Sequence, residues 1–155
     1  MRVEFARLRG QVTDDWAAAE AQFHRVQSLG PFADSPGAAA LGALALHHVY
    51  VAIESLIERC TRMFEGGVPS GPGSHRELLE GAARDVPGVR PPLLSRDAVV
   101  MLRDFLAFRH FLHHAYTSDL DPRRLEALRA AIPALHTQLR ADIAHLDARL
   151  AELAG

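Results

Sequence analysis

The stretch MLRDFLAFRHFLHHAYTSDLDP, residues 101–122, decides the fold. Met101, Phe105, Phe108, Leu112 and Ala115 recur at spacings of four and three, the period of a single buried face on an α-helix. Asp121 then offers a side-chain acceptor for free helical amides, and Pro122 fits the first turn of a new helix, where no N–H is needed. One helix therefore ends before residue 121 and another begins there. The same stretch crowds Arg109, His110, His113, His114 and Tyr116 onto the end of a core-forming helix, more polar chemistry than packing requires.

Working outward, apolar residues recur at helical spacing along nearly the whole chain, and alternation of the β type is nowhere sustained. A first helix is expected from about Val3 to Ser28, punctuated by Gly30 and Pro31. A loop, FADSPG, leads to a second helix from about Ala38 to Glu65, with Val49, Ile53, Leu56, Cys60 and Met63 on one stripe. GGVPSGPG (66–73) is a loop by its glycine and proline content. Ser74 followed by Glu77 reads as a capping box opening a short third helix to about Arg84. After VPGVRPPL (86–93), Ser95 and Asp97 start the fourth helix. The last helix follows Asp121, and its stripe of Leu125, Leu128, Ile132, Leu135, Leu139, Leu146, Leu150 and Leu153 keeps phase across Pro133, predicting one long helix kinked there. The expectation is an all-α protein, an antiparallel bundle of about five helices forming a single domain over residues 1–155.

Composition narrows the function classes. The 155 residues carry a formal net charge of −2, so no global basic field exists to hold nucleic acid, and any such chemistry is local. All of the basic residues are arginine, a bias that weakens arginine content as a sign of phosphate binding. The lone Cys60 excludes an internal disulfide and reads as a core residue. The N-terminus lacks the apolar core of a signal peptide, and no window approaches the roughly 20 apolar residues of a membrane span. A cytoplasmic protein without membrane contact is expected.

Three chemistries fit the polar crowd on the fourth helix. His110 and His114, four apart, could share a metal ion, but beyond Asp104 and Asp119 no third ligand lies near, and neither a metal nor a cofactor is expected. Metal-free cleavage of RNA needs a base for the 2′-hydroxyl, an acid for the leaving oxygen and a cation for the charge on phosphorus, work suited to histidine and arginine. The third reading is a polar helix end, with histidines favoured by the C-terminal dipole. Glu54 and Tyr50, four apart on the second helix beside His47 and His48, either line the same cleft or belong to an exposed face. Asp104 either orients Arg109 or makes a structural pair. Arg103 reads as a solvated charge, Trp16 and Phe23 as core contacts, and Arg123 and Arg124 as possible contacts to RNA or an acidic partner.

Arg109, His114 and Tyr116 fit the pattern arginine, four residues, histidine, any residue, tyrosine, within FRHFLHHAY (108–116). That arrangement resembles the HEPN superfamily, specifically the HepT-like ribonuclease toxins paired with MNT nucleotidyltransferase antitoxins. LHHVYVAIESLIERC (46–60), SHRELLEGAA (74–83), RPPLLS (90–95) and LDPRRLEAL (120–128) extend the resemblance over roughly residues 38–150. It implies a helical bundle that dimerises through the Arg/His helix. It also implies a metal-independent endoribonuclease, with Arg109 binding phosphate and His114 acting as acid or base. Tyr116 would be the residue that the antitoxin AMPylates, adding bulk and negative charge where RNA phosphate must sit. His110 stands where many members have asparagine, and with His113 it is assigned a supporting role. On an ideal helix Arg109 and His114 point about 140° apart, which favours a cleft completed by the second subunit over a distorted helix end. The alternative is an inactive HEPN module serving as a scaffold for a nucleotidyltransferase.

Overall fold

The computed structural model describes residues 1–115 and 119–155. Among them lie five α-helices: α1 (Arg2–Ser28), α2 (Pro36–Glu65), α3 (Ser74–Ala82), α4 (Arg96–His114) and α5 (Pro122–Ala154), with a 3₁₀ turn at Phe32–Asp34 and no β-strand. The all-α expectation holds, and cross-helix contacts give the directions. Arg9 meets Asp147, Glu20 meets His136 and Gln27 meets Arg129, so α1 and α5 run antiparallel. The pairs His47–His113 and Glu65–Arg90 set α2 against the α4 side in the same way.

The helix ends follow from local chemistry. The Ser95 hydroxyl accepts from the amide of Ala98, and Asp121 from that of Arg123, as the capping rules require. Helix α2 begins two residues earlier than its apolar stripe suggests, because Ser35 caps the Ala38 amide and Pro36 occupies the first turn. The capping box expected at Ser74 does not form. Gly73, left-handed at φ 76°, is the N-cap, Ser74 is already helical, and no side chain caps the α3 amides. A glycine can take that backbone conformation cheaply and so moves the helix start back by one residue.

One contiguous core runs through all five helices. On α4 the buried set is Ala98, Val99, Leu102, Phe105 and Phe108, whereas Met101, Leu112 and Ala115 are only partly covered. The core face is thus rotated from the expected stripe, because α4 has to bury residues against α2, α3 and α5 at once. Helix α5 is continuous across Pro133, with Ile143 joining the buried stripe and Leu153 left 41% exposed near the end. Pro133 has no N–H for the carbonyl of Arg129, and the Gln27 side chain donates to that carbonyl instead, at 3.4 Å.

Two arginines seal the joints between elements. Arg129, paired with Glu126, donates to the carbonyls of Val26, Leu29 and Gly30 at the open end of α1, and its guanidinium lies 3.8 Å from the centroid of the Phe32 ring. Arg90, its side chain 3% exposed, donates to the carbonyls of Gly81 and Arg84 after α3 and to Glu65 on α2. Such charge-assisted bonds satisfy acceptors that helix ends leave orphaned.

Helix α2 amends one expectation. It contains an 18-residue window of mean hydropathy 1.5, long and apolar enough to cross a membrane, but 56% of that window is buried inside the bundle. Its hydrophobicity is that of a central core helix, flanked by α1, α3, α4 and α5.

Candidate functional site

His47, Tyr50 and Glu54 of α2 lie on the side of the helix that meets α3 and α4. Tyr50 is 1% exposed and Glu54 9%, which corrects the reading of these positions as an exposed face. His47 is half-buried on the same side, with its ring centroid 5.8 Å from that of His113 and edge-on to it. A core helix can bury such residues only if partners or bound groups satisfy them. Here three polar atoms, His47 Nδ1, Tyr50 Oη and Arg109 Nε, are buried without a hydrogen-bond partner among the described residues.

Arg109 projects from the second half of α4 and is half-buried. Arg9, Arg59, Arg90, Arg103 and Arg129 are each held by a carboxylate. Arg109, by contrast, makes no hydrogen bond or ion pair among the described residues. Its field is felt by its neighbours: burial first, and then the charge of Arg109, lower the pKa of His47, so this imidazole is kept neutral. Burial and then the charge of Glu54 push the Tyr50 phenol up, although the two lie off the geometry of a hydrogen bond. An unneutralised guanidinium in partial burial, next to neutral donors, is a seat for an anion such as phosphate.

His114 closes α4 and is exposed, and the helix is regular through that residue. The offset of about 140° from Arg109 therefore persists, and no distortion brings the two side chains onto one face. His110 lies between them, exposed, its ring 5.1 Å from that of His114. Asp104 is exposed and makes no hydrogen bond or ion pair among the described residues, so it does not orient Arg109 within the chain. Arg103 is not a free charge: it grips Glu80 of α3 through two bonds of 2.6 and 2.9 Å. Arg123 folds back on Asp121, and Arg124 lies over the ring of Phe111, 4.7 Å from its centroid. Trp16 and Phe23 pack edge-to-face in the core as expected. Tyr116 lies outside the described residues.

Between α3 and α4 opens a cavity of about 510 Å³, with His75 and Arg76 on one wall and Leu106, Arg109 and His110 on the other. His75 was not distinguished by the sequence. It follows a glycine-rich loop at a helix start, and nothing local reveals that its Nδ1 meets Glu54 Oε2 of α2 at 2.9 Å. Among the described residues, no three histidine, cysteine, aspartate or glutamate side chains converge as a metal-binding group.

The model of the family described as HepT-like protein matches residues 41–150, from early in α2 to the end of the bundle. The chain belongs to the HepT-like family. Comparisons with curated proteins and with solved structures returned no match. The match spans every residue of this HepT-like site, from His47 to His114, and leaves out α1, the helix least like the family in sequence. In this HepT-like chain Glu54 of α2 meets His75 of α3, and His75 and Arg109 line the cavity between α3 and α4.

Proposed function

We propose that this HepT-like protein is the toxin of a toxin–antitoxin pair, a metal-independent endoribonuclease acting in the cytoplasm. The observation that carries the reading is Arg109: a half-buried guanidinium with no acid partner among the described residues, on the wall of a cavity and next to a run of histidines. Placed against an RNA phosphate, Arg109 holds the non-bridging oxygens and stabilises the charge that grows on them. The substrate's 2′-oxygen loses its proton to a base and bonds to phosphorus, the bond to the 5′-oxygen breaks, and His114 as imidazolium gives that oxygen a proton. The products are a 2′,3′-cyclic phosphate and a 5′-hydroxyl.

His110 and His113 flank the path of the RNA on this reading, with Asp104 available to the facing subunit. A homodimer through α4 supports the arrangement, because it places a second Arg109 and His114 across the cleft from the first. AMPylation of Tyr116 by an MNT-type nucleotidyltransferase antitoxin, two residues beyond His114, would set a negative phosphodiester beside the catalytic pair and repel RNA.

Incubation of the purified protein with single-stranded RNA in EDTA is the test. Cleavage that leaves cyclic phosphate ends, and that Arg109→Ala or His114→Ala lowers by at least 100-fold without lowering the melting temperature, is the expected result. Equal cleavage by the double variant would assign the activity to a contaminant and leave a binding module.

A further inference from the structure

We propose that the cavity between α3 and α4 is a nucleotide subsite, and that His75, oriented by Glu54, is the base that removes the 2′-proton. This assignment rests on the nuclease reading above, which supplies a phosphate-binding cation and a proton donor but leaves the proton acceptor unnamed. A carboxylate can only accept a hydrogen bond, so Glu54 Oε2 at 2.9 Å fixes the proton of a neutral His75 on Nδ1. The other ring nitrogen, Nε2, is then the acceptor, on a side chain that is 48% exposed and lines the cavity.

The dyad joins two helices. Glu54 comes from the centre of α2, where its carboxylate is nearly buried, and His75 from the first turn of α3. A structural tie between elements would be served as well by an arginine, as Arg90 and Glu65 show at the end of α2. What histidine adds is a second nitrogen that takes and returns a proton near neutral pH.

The remaining walls suit a nucleotide. Leu106 and Ala107 offer an apolar surface for a base, while Arg76 and Arg109 bring positive charge that no acid among the described residues cancels within hydrogen-bonding distance. The cavity's carboxylate, Glu80, is taken up by Arg103. About 510 Å³ admits one nucleoside with its phosphate. The proton donor, His114, lies one turn beyond His110, which lines the cavity, and the two rings are 5.1 Å apart. The step then balances: the 2′-proton passes to His75 Nε2, the 2′-oxygen bonds to phosphorus, and the departing 5′-oxygen takes its proton from His114.

Charged and titratable groups around His75 are Glu54 on α2, Arg76 and Glu80 on α3, and Arg103, Arg109 and His110 on α4. In His75→Asn the side-chain amide can still donate to Glu54, so the tie between helices survives while the base is lost. With a mixed-sequence oligoribonucleotide in EDTA, His75→Asn should lower kcat at least 100-fold, hold KM within threefold and leave the melting temperature unchanged. The acid limb of the kcat/KM profile should disappear with it.

A second measurement keeps the subsite separate from the nuclease reading: the ring resonances of His75 in the full-length protein, followed as adenosine 3′-monophosphate is added. Wild-type cleavage that Arg109→Ala abolishes and His75→Asn leaves intact would overturn the base assignment and preserve the nuclease. No cleavage by the wild type would overturn the base assignment together with the nuclease reading, while a nucleotide-induced shift at His75 would still support the subsite. An unmoved His75 resonance at saturating nucleotide would overturn the subsite.

Discussion

Arg109, His47 and Tyr50 form a contact in which a fixed positive charge faces groups that cannot neutralise it, and this has a measurable cost. The pKa of His47 is lowered in the folded protein, chiefly by burial and then by Arg109. As pH falls below the ordinary histidine value of 6.5, the unfolded chain takes up this proton before the folded one does, so stability falls with pH in that window. Thermal unfolding followed between pH 7.5 and 5.5 should show a decline that is shallower in His47→Asn. A decline of equal slope in both proteins would dissociate His47 from the acid sensitivity. The carboxylates with lowered pKa values, such as Asp147 beside Arg9 and Glu80 beside Arg103, act at still lower pH. Arg109 itself was legible as a candidate from its spacing to His114 and Tyr116. Its lack of an acid partner among the described residues was not, because pairing depends on which carboxylates other helices bring near.

Helix α2 depends on a close approach at Gly42. A Cβ placed there would come within 2.5 Å of the buried Phe32 ring, over which the Arg129 guanidinium also packs. Gly42→Ala should therefore destabilise the protein by about 1–3 kcal/mol in chemical denaturation, despite the better helix propensity of alanine. Pro133 offers the opposite case, an exposed proline in the interior of α5. Its replacement by alanine returns an amide to the carbonyl of Arg129 and should raise stability by about 1–3 kcal/mol, a gain limited by the bond that Gln27 already supplies. The continuity of α5 was readable because its leucines keep phase on both sides of the proline. The misread start of α3 has an equally local cause: serine and glycine both suit an N-cap, and the backbone angle at Gly73 decides between them.

Across the whole molecule, α4 shows one face to the core and another to solvent. Val100, 47% exposed, together with Asp104, Ala107 and His114, lies along the outer face at helical spacing, with Phe111 partly covered beside it. On the proposed reading this face meets its counterpart in a second copy. Val100→Glu should then shift the sedimentation coefficient from dimer to monomer and reduce cleavage in parallel, with the melting temperature of the isolated chain unchanged. A wild-type protein that sediments as a monomer while cleaving RNA at full rate would remove the shared cleft from the mechanism.

By itself the sequence determined the helical class, the positions of all five helix starts to within a few residues, and the Arg109, His114 and Tyr116 spacing that carries the family resemblance. These are local properties: side-chain period, cap chemistry and distance along one helix are all set within a few turns of chain. The tertiary structure alone decided that Glu54 and Tyr50 are buried, that Glu54 holds His75 across twenty-one residues of chain, and that Arg109 is left without a carboxylate among the described residues. Those outcomes depend on how α2, α3 and α4 rotate to bury their apolar faces together. A helix packed on three sides chooses its core stripe by the sum of its neighbours, a quantity that no single segment of sequence contains.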